Sequence, residues 1–305
     1  MTDSPPAVVP GVVGVDGISL SYRASWVRRP RAVVLALHGG GTDSAYFDCP
    51  GHPRLSLLRT GAALGFTVIA LDRPGYGASL PHAPRLTDPA RRVDLAYAAL
   101  DRLLASRPAG GGVFLAAHSA GGELAVRMAA DERGHSLLGL EIAGTGRHHH
   151  PRSVSFLENG DEELRRPGRA RDRLREALWG ADHLYPPEVH GGASIAAASP
   201  AYESAARGWR YEFPELAARV RVPVHFTLGD HEEVWSSGPA ALADIASLFT
   251  ASPRVRVHEQ RDAGHNLSLG YSARAYHLRV LSFAEECAVT REAGLAAPPR
   301  QGRAG

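Results

Sequence analysis

At 305 residues, with 44% hydrophobic and 22% charged residues, the chain can bury a large core, and one domain with an insertion fits as well as two domains. The net charge of +2 implies no polyanionic partner, so nucleic acid is not expected, and all 34 basic residues are Arg. Two cysteines, Cys49 and Cys287, do not make a disulfide framework, and no run approaches the roughly 18 apolar residues of a membrane span.

Residues 1–10 are Pro-rich and read as a loose arm, with neither the basic nor the apolar region of a signal peptide; the expected location is the cytoplasm. Val12 to Trp26 reads as two antiparallel strands turning at Asp16-Gly17. Ala32 to Leu37 is apolar without alternation, as expected for a parallel strand buried on both faces. His38-Gly39-Gly40-Gly41 follows at once, and glycines there let backbone N–H groups face a cleft. A helix near Pro53 to Leu64 and a strand from Phe66 to Leu71 come next. Asp88 and Pro89 suit the N-cap and first position of a helix, with Val93, Ala96, Leu100, Leu103 and Leu104 along one stripe.

The next strand begins at Val113 and runs into Ala116-Ala117-His118-Ser119-Ala120-Gly121-Gly122, which opens a helix. A serine between very small residues at a strand-to-helix turn projects its hydroxyl above the sheet. Ser119 is therefore the candidate nucleophile. The N–H groups of Ala120, Gly40 and Gly41 are candidates to hold an oxyanion. Leu137 to Ile142 is the sixth strand, and strand–helix alternation throughout argues for a mostly parallel sheet. About 80 residues separate Ile142 from Pro223, far more than a connection needs. The excess, residues 146–213, is predicted to be a mostly helical cap whose aromatics, among them Phe156, Trp179, Tyr185, Tyr202, Trp209, Tyr211 and Phe213, divide between core and pocket wall. Pro223 to Leu228 is a strand ending in Gly229-Asp230-His231-Glu232. Ala263-Gly264-His265-Asn266 follows the alternating strand Arg254 to His258. From Arg291 an Ala-Pro-Arg-Gly-rich tail is expected to be disordered.

With Ser119, an acid and His265 in that order, the chain resembles an α/β-hydrolase of the serine esterase, lipase and thioesterase type, from about Val12 to Ala284. Asp72-Arg73-Pro74-Gly75-Tyr76-Gly77-Ala78-Ser79 is similar to that family's D-x-P-G-x-G-x-S turn after the fourth strand. Two departures stand out. Ala117 replaces the first glycine of Gly-x-Ser-x-Gly. The HGGG and S-A-G-G segments are similar to the hormone-sensitive-lipase branch, while the turn after strand four is not. The resemblance implies an α/β-hydrolase fold, a mostly parallel twisted sheet flanked by helices with a helical cap after the sixth strand: core 1–145 and 214–290, cap 146–213, tail 291–305. It also implies a Ser119–His265–acid triad. Family spacing of three residues from Gly229 selects Glu232, with Asp230 the alternative. It further implies a small ester or thioester substrate, an acyl-enzyme, and neither metal nor organic cofactor. The same triad could serve acyl transfer, lyase or ring-closing chemistry, or the fold could serve binding alone.

The remaining striking runs have plainer readings. His38 and His118 are expected to pack or hydrogen-bond. Consecutive His148, His149 and His150 point in different directions and lack metal-ligand spacing. Arg165, Arg166, Arg169, Arg171, Arg173 and Arg175 suit a solvated helix face, or a docking surface for an acidic carrier protein.

Overall fold

The structure, a computed structural model, describes residues 7–158, 169–203 and 208–295, the side chains of 155, 156, 170 and 171 apart. Eight strands form one sheet: β1 (Val8–Val15), β2 (Ile18–Ser25), β3 (Val33–Leu37), β4 (Thr67–Leu71), β5 (Val113–His118), β6 (Gly139–Ala143), β7 (Val224–Gly229) and β8 (Val255–Gln260). Their spatial order is β1-β2-β4-β3-β5-β6-β7-β8. β2 pairs antiparallel with β1 and β4, and all other pairs are parallel.

The unalternating apolar runs are central. Every residue of β3, β4, β6 and β7 is buried, because helices cover both faces. One face packs on α2 (Pro89–Leu104), α3 (Gly121–Ala130), α6 (Trp209–Arg219) and α7 (Gly238–Leu248). The other packs on α1 (Leu57–Ala63) and α8 (Ala273–Glu292). β3 lies between β4 and β5, so the connections leave it in opposite directions. That divergence opens a crevice at the carboxyl ends of β3 and β5, where open α/β sheets place their ligands.

Local chemistry sets the helix starts. Asp88 accepts from the Ala90 N–H at 2.9 Å, with Pro89 at the first position of α2. Ser56 accepts from the Arg59 N–H at 3.0 Å, so the expected helix from Pro53 to Leu64 resolves into a 3₁₀ turn at Pro53–Leu55 and α1. Four expectations need correction. Residues 8–10 are strand and not arm: Val8 to Pro10 pair with Arg23 to Ser25, and Pro10 is tolerated because β1 is an edge. The insertion after β6 is less helical than expected. α4 (Pro151–Leu157) and α5 (Arg169–Trp179) lie in its first half. From Gly180 to Ala201, where Pro186, Pro187, Gly191 and Gly192 interrupt, the regular pieces are 3₁₀ turns at Asp182–Leu184 and Ala193–Ile195, and Tyr202 and Glu203 are helical. Finally, α6 straddles the boundary expected at 213, and Trp209 and Phe213 belong to the core beneath the sheet. At the C-terminus α8 runs to Glu292, past the end expected at 290, and residues 296–305 of the predicted tail lie outside the described residues.

Candidate active site

Ser119 follows β5 with φ at +51°, a left-handed conformation rare for a residue with a side chain. It is held there at both ends: its N–H donates to the Ala143 carbonyl (2.8 Å), and its carbonyl accepts from Gly122 N–H (2.8 Å). The small flanks expected from the sequence have a measurable reason. A Cβ on Gly121 would stand 2.3 Å from the Leu37 carbonyl oxygen and 2.6 Å from that of His38. Strain of this kind costs on the order of 1–3 kcal/mol and persists where the surroundings over-determine it.

The loops after β7 and β8 bring the partners. His265 Nε2 is 3.0 Å from Ser119 Oγ, and its Nδ1 lies 3.0 and 3.1 Å from the two Glu232 oxygens. A carboxylate accepts only, so Nδ1 carries the proton and Nε2 is free to accept from the serine hydroxyl. Glu232 Oε1 also accepts from the Val234 N–H (2.8 Å) and the Trp235 N–H (3.4 Å), which fixes the carboxylate. Both side chains are sealed, His265 at 1% and Glu232 at 0% exposure, whereas Ser119 is partly open to solvent. Asp230 stands apart: it accepts from the N–H groups of Asp262 (3.2 Å) and Ala263 (3.1 Å), closing a turn.

His118 sits under the site as a hydrogen-bonding histidine. Its Nε2–H donates to the His265 carbonyl (2.9 Å), and its ring stacks on Tyr46 with centroids 4.3 Å apart. Burial, reinforced by His265, holds it well below the usual histidine range, so it is neutral.

Across the crevice, the N–H groups of Gly40 and Ala120 make no hydrogen bond among the described residues, and Gly40 is exposed. Gly41, at φ +67°, differs: its N–H donates to the Tyr76 hydroxyl at 3.3 Å. The donors open to a ligand are thus Gly40 and Ala120. Gly39 leaves no room for more, since a Cβ there would lie 2.9 Å from His118 Nδ1 and 3.2 Å from Ser119 Cβ.

The second half of the insertion is strapped to this loop. Thr42 bridges to Ala196, and Ala197 N–H donates to the Gly41 carbonyl (2.9 Å). The Tyr202 hydroxyl donates to the Pro74 carbonyl, and Glu203 pairs with Arg73 at 2.8 Å. Sequence reasoning passed over Arg73 and Glu203. The Arg73 signal was available, inside the Asp72–Ser79 turn; nothing marked Glu203, whose partner is 130 positions distant in contact terms only the fold supplies.

Of the insertion's aromatics, Trp179, Tyr185, Tyr202, Trp209 and Phe213 are buried in the hydrophobic clusters, and Tyr211 is exposed. The Phe156 side chain lies outside the described residues. Trp179 also edges an open cleft of about 450 Å³ with Asp172, Glu176, His190 and Glu233. His149 meets Glu158 at 2.7 Å and His150 caps α4; among the described residues no group of His, Cys, Asp and Glu could hold a metal ion. Arg169, Arg173 and Arg175 are exposed on α5, Arg173 beside Glu176 (3.1 Å), whereas Arg165, Arg166 and the Arg171 side chain lie outside the described residues. Both cysteines are free and buried. Among the described residues no helix is long and apolar enough to cross a membrane.

A sequence profile described as the alpha/beta hydrolase family matches residues 33–276. No curated protein matches in sequence. Among solved structures, a carboxyl esterase from Bacillus coagulans is similar with a TM-score of 0.67 at 17% identity, covering 92% of this chain and 99% of the other. A lipase in its open form gives 0.63 at 17% identity, with 92% and 99% covered. The thioesterase domain of the curacin biosynthetic pathway gives 0.57 at 19% identity, with 90% and 99% covered. At such identities the likeness is one of fold.

Proposed function

Because the chain belongs to the alpha/beta hydrolase family, we propose that it is a serine hydrolase cleaving a carboxylic ester or thioester through an acyl-enzyme. The observation that carries this reading is the line Ser119 Oγ–His265–Glu232, at 3.0 Å on each side of the imidazole, on a strained strand-to-helix turn. Esterase, lipase and thioesterase folds among the similar structures support it.

In the proposed reaction Ser119 Oγ attacks the carbonyl carbon as its proton passes to His265 Nε2. Glu232 holds the Nδ1–H tautomer and stabilises the imidazolium. Charge developing on the carbonyl oxygen is met by the N–H groups of Gly40 and Ala120, each such donor lowering the barrier by on the order of 3 kcal/mol. The imidazolium then protonates the leaving alcohol or thiol. Water, deprotonated by the same histidine, attacks the acyl-enzyme and releases the acid and free Ser119. The strip of the insertion from Ala196 to Glu203, strapped to the loops after β3 and β4, acts as part of a cap beside the site.

A fluorophosphonate probe should label the protein at Ser119, and Ser119→Ala should abolish labelling. A panel of short-chain, long-chain and thioester substrates with product analysis then separates hydrolysis from acyl transfer, lyase or cyclisation chemistry. Absent labelling of the folded wild type, or undiminished labelling of Ser119→Ala, would refute the assignment.

A further inference from the structure

The Gly39 carbonyl takes three donors: His38 Nδ1–H at 2.8 Å, Arg73 Nη2–H at 3.1 Å and Thr42 Oγ1–H at 3.2 Å. That carbonyl and the N–H of Gly40 belong to one planar peptide group, so fixing the oxygen aims the N–H the opposite way. Gly40 N–H is the group open to a ligand. A charged donor on the carbonyl also polarises the peptide and makes its N–H a stronger donor.

Arg73 is built for this task. It is 2% exposed, and its backbone N–H donates to His38 Nε2 at 3.0 Å. His38 therefore accepts at Nε2 and donates from Nδ1, and burial together with Arg73 keeps it neutral, well below the usual histidine range. The guanidinium carbon lies 4.7 Å from the centre of the Tyr76 ring, whose hydroxyl holds Gly41 N–H. Its Nη1 is 2.8 Å from Glu203, which the insertion delivers. The other Glu203 oxygen, Oε2, lies 3.1 Å from the point a Cβ on Gly40 would occupy. A carboxylate thus stands against Gly40, the residue that carries the open N–H, and a buried cation stands against that carboxylate.

We infer that Arg73 is a positioning residue for the Gly40 oxyanion donor, acting through the Gly39–Gly40 peptide, and that its charge offsets the opposing Glu203 carboxylate. The inference rests on the reading that Ser119 forms a tetrahedral oxyanion. A purely structural ion pair would lower stability when broken and would not return activity when its second member is also neutralised. The inferred role predicts that it does.

The test uses steady-state hydrolysis of p-nitrophenyl acetate with melting temperatures of the same variants. Arg73→Gln leaves Glu203 unopposed and should lower kcat by about ten- to a hundredfold with KM within about threefold. Adding Glu203→Gln to it should recover about tenfold of that loss, since a charge packed against Gly40 in a screened site acts on an anion bound to the Gly40 N–H at about this scale. Glu203→Gln alone should raise kcat a few-fold, roughly threefold, by leaving the cation unopposed. A double variant no faster than Arg73→Gln overturns the inference. Where Arg73→Gln does not fold, Glu203→Gln decides alone: a raised kcat supports the inference and an unchanged or lowered kcat overturns it. Ser119→Ala on the same ester is the reference. Retained turnover there rejects the Ser119 reading and this inference with it; a dead Ser119→Ala with a flat charge series rejects this inference only.

Discussion

Glu232→Gln separates the two candidate acids, and its effect can be worked out atom by atom. Glu232 Oε1 is held by two backbone donors, Val234 N–H at 2.8 Å and Trp235 N–H at 3.4 Å. In the glutamine the amide oxygen must take that place, because an NH₂ group there would face two donors. The NH₂ group then falls where Oε2 was, 3.0 Å from His265 Nδ1. It favours an acceptor at Nδ1 and so a ring proton on Nε2, facing Ser119 Oγ 3.0 Å away, and leaves the amide oxygen, 3.1 Å from Nδ1, as the one group of this side chain that holds the Nδ1–H tautomer. In the Nε2–H tautomer the histidine cannot take the serine proton. A tautomer reversal with geometry intact costs about 10⁴ in kcat, or roughly 5 kcal/mol of barrier. Asp230→Asn should differ, since Asp230 holds a turn and not the His265 ring: asparagine keeps one of its two acceptors and turns an NH₂ toward the other backbone N–H, so stability should fall by about 1–3 kcal/mol while turnover stays within about threefold. The assay is initial-rate hydrolysis of a short p-nitrophenyl ester from pH 6 to 9, with thermal melts of both variants. Glu232→Gln retaining more than about a hundredth of wild-type kcat would refute the tautomer argument, and so would Asp230→Asn proving the slower variant.

Three further outcomes are expected. Ser119→Ala and Ser119→Gly should both fall below about a thousandth of wild-type turnover. The glycine variant should melt higher than the alanine variant, because φ +51° strains any side chain; equal melting would deny that strain. Trp209, 5% exposed with its ring centroid 4.7 Å from that of Phe213, is a core residue, so Trp209→Ala should cost about 3–5 kcal/mol by urea unfolding. Its ranking of acyl lengths should be unaltered, and a changed ranking at full stability would return it to the pocket wall. Acid should destabilise the fold steeply. Burial drives His277 down to about 3 and holds His38 and His118 well below the ordinary range. Below about pH 6.5 the unfolded chain binds protons that these folded histidines refuse, so each removes about 1.4 kcal/mol of stability per pH unit until its folded pKa is reached. Urea midpoints at pH 7 and pH 5.5 measure this, and His277→Gln should flatten the slope; identical midpoints would count against it.

Strand positions and the tight turn at Ser119 were legible because their causes are local. A run buried on both faces must be apolar throughout, and the turn at Ser119 tolerates only small neighbours, so β3, β5 and Gly121 announce themselves. Asp88-Pro89 likewise encodes its own helix start. What was not legible depends on distant partners. Gly41 reads as a donor until Tyr76 is found across the crevice. Trp209 could not be assigned to core or pocket wall because aromatic residues look alike in sequence, whether they face a substrate or Phe213. Val8 to Pro10 look disordered until β2 supplies the hydrogen bonds that order them. Glu203 carries no local mark at all, and its meaning comes from Arg73.

The strap between the insertion and the glycine loop bears on how such a protein can be re-engineered. Thr42 to Ala196, Gly41 to Ala197, Pro74 to Tyr202 and Arg73 to Glu203 tie one strip of the insertion to the two loops flanking the crevice. Exchanging residues 146–208 for those of a relative would therefore replace one half of four matched pairs. The transferable module is larger than the inserted stretch and discontinuous in the chain: it includes residues 39–42 and 73–76. A chimera that moves the insertion alone should fold around a mismatched seam, and one that moves all three segments together keeps its backbone donors aimed.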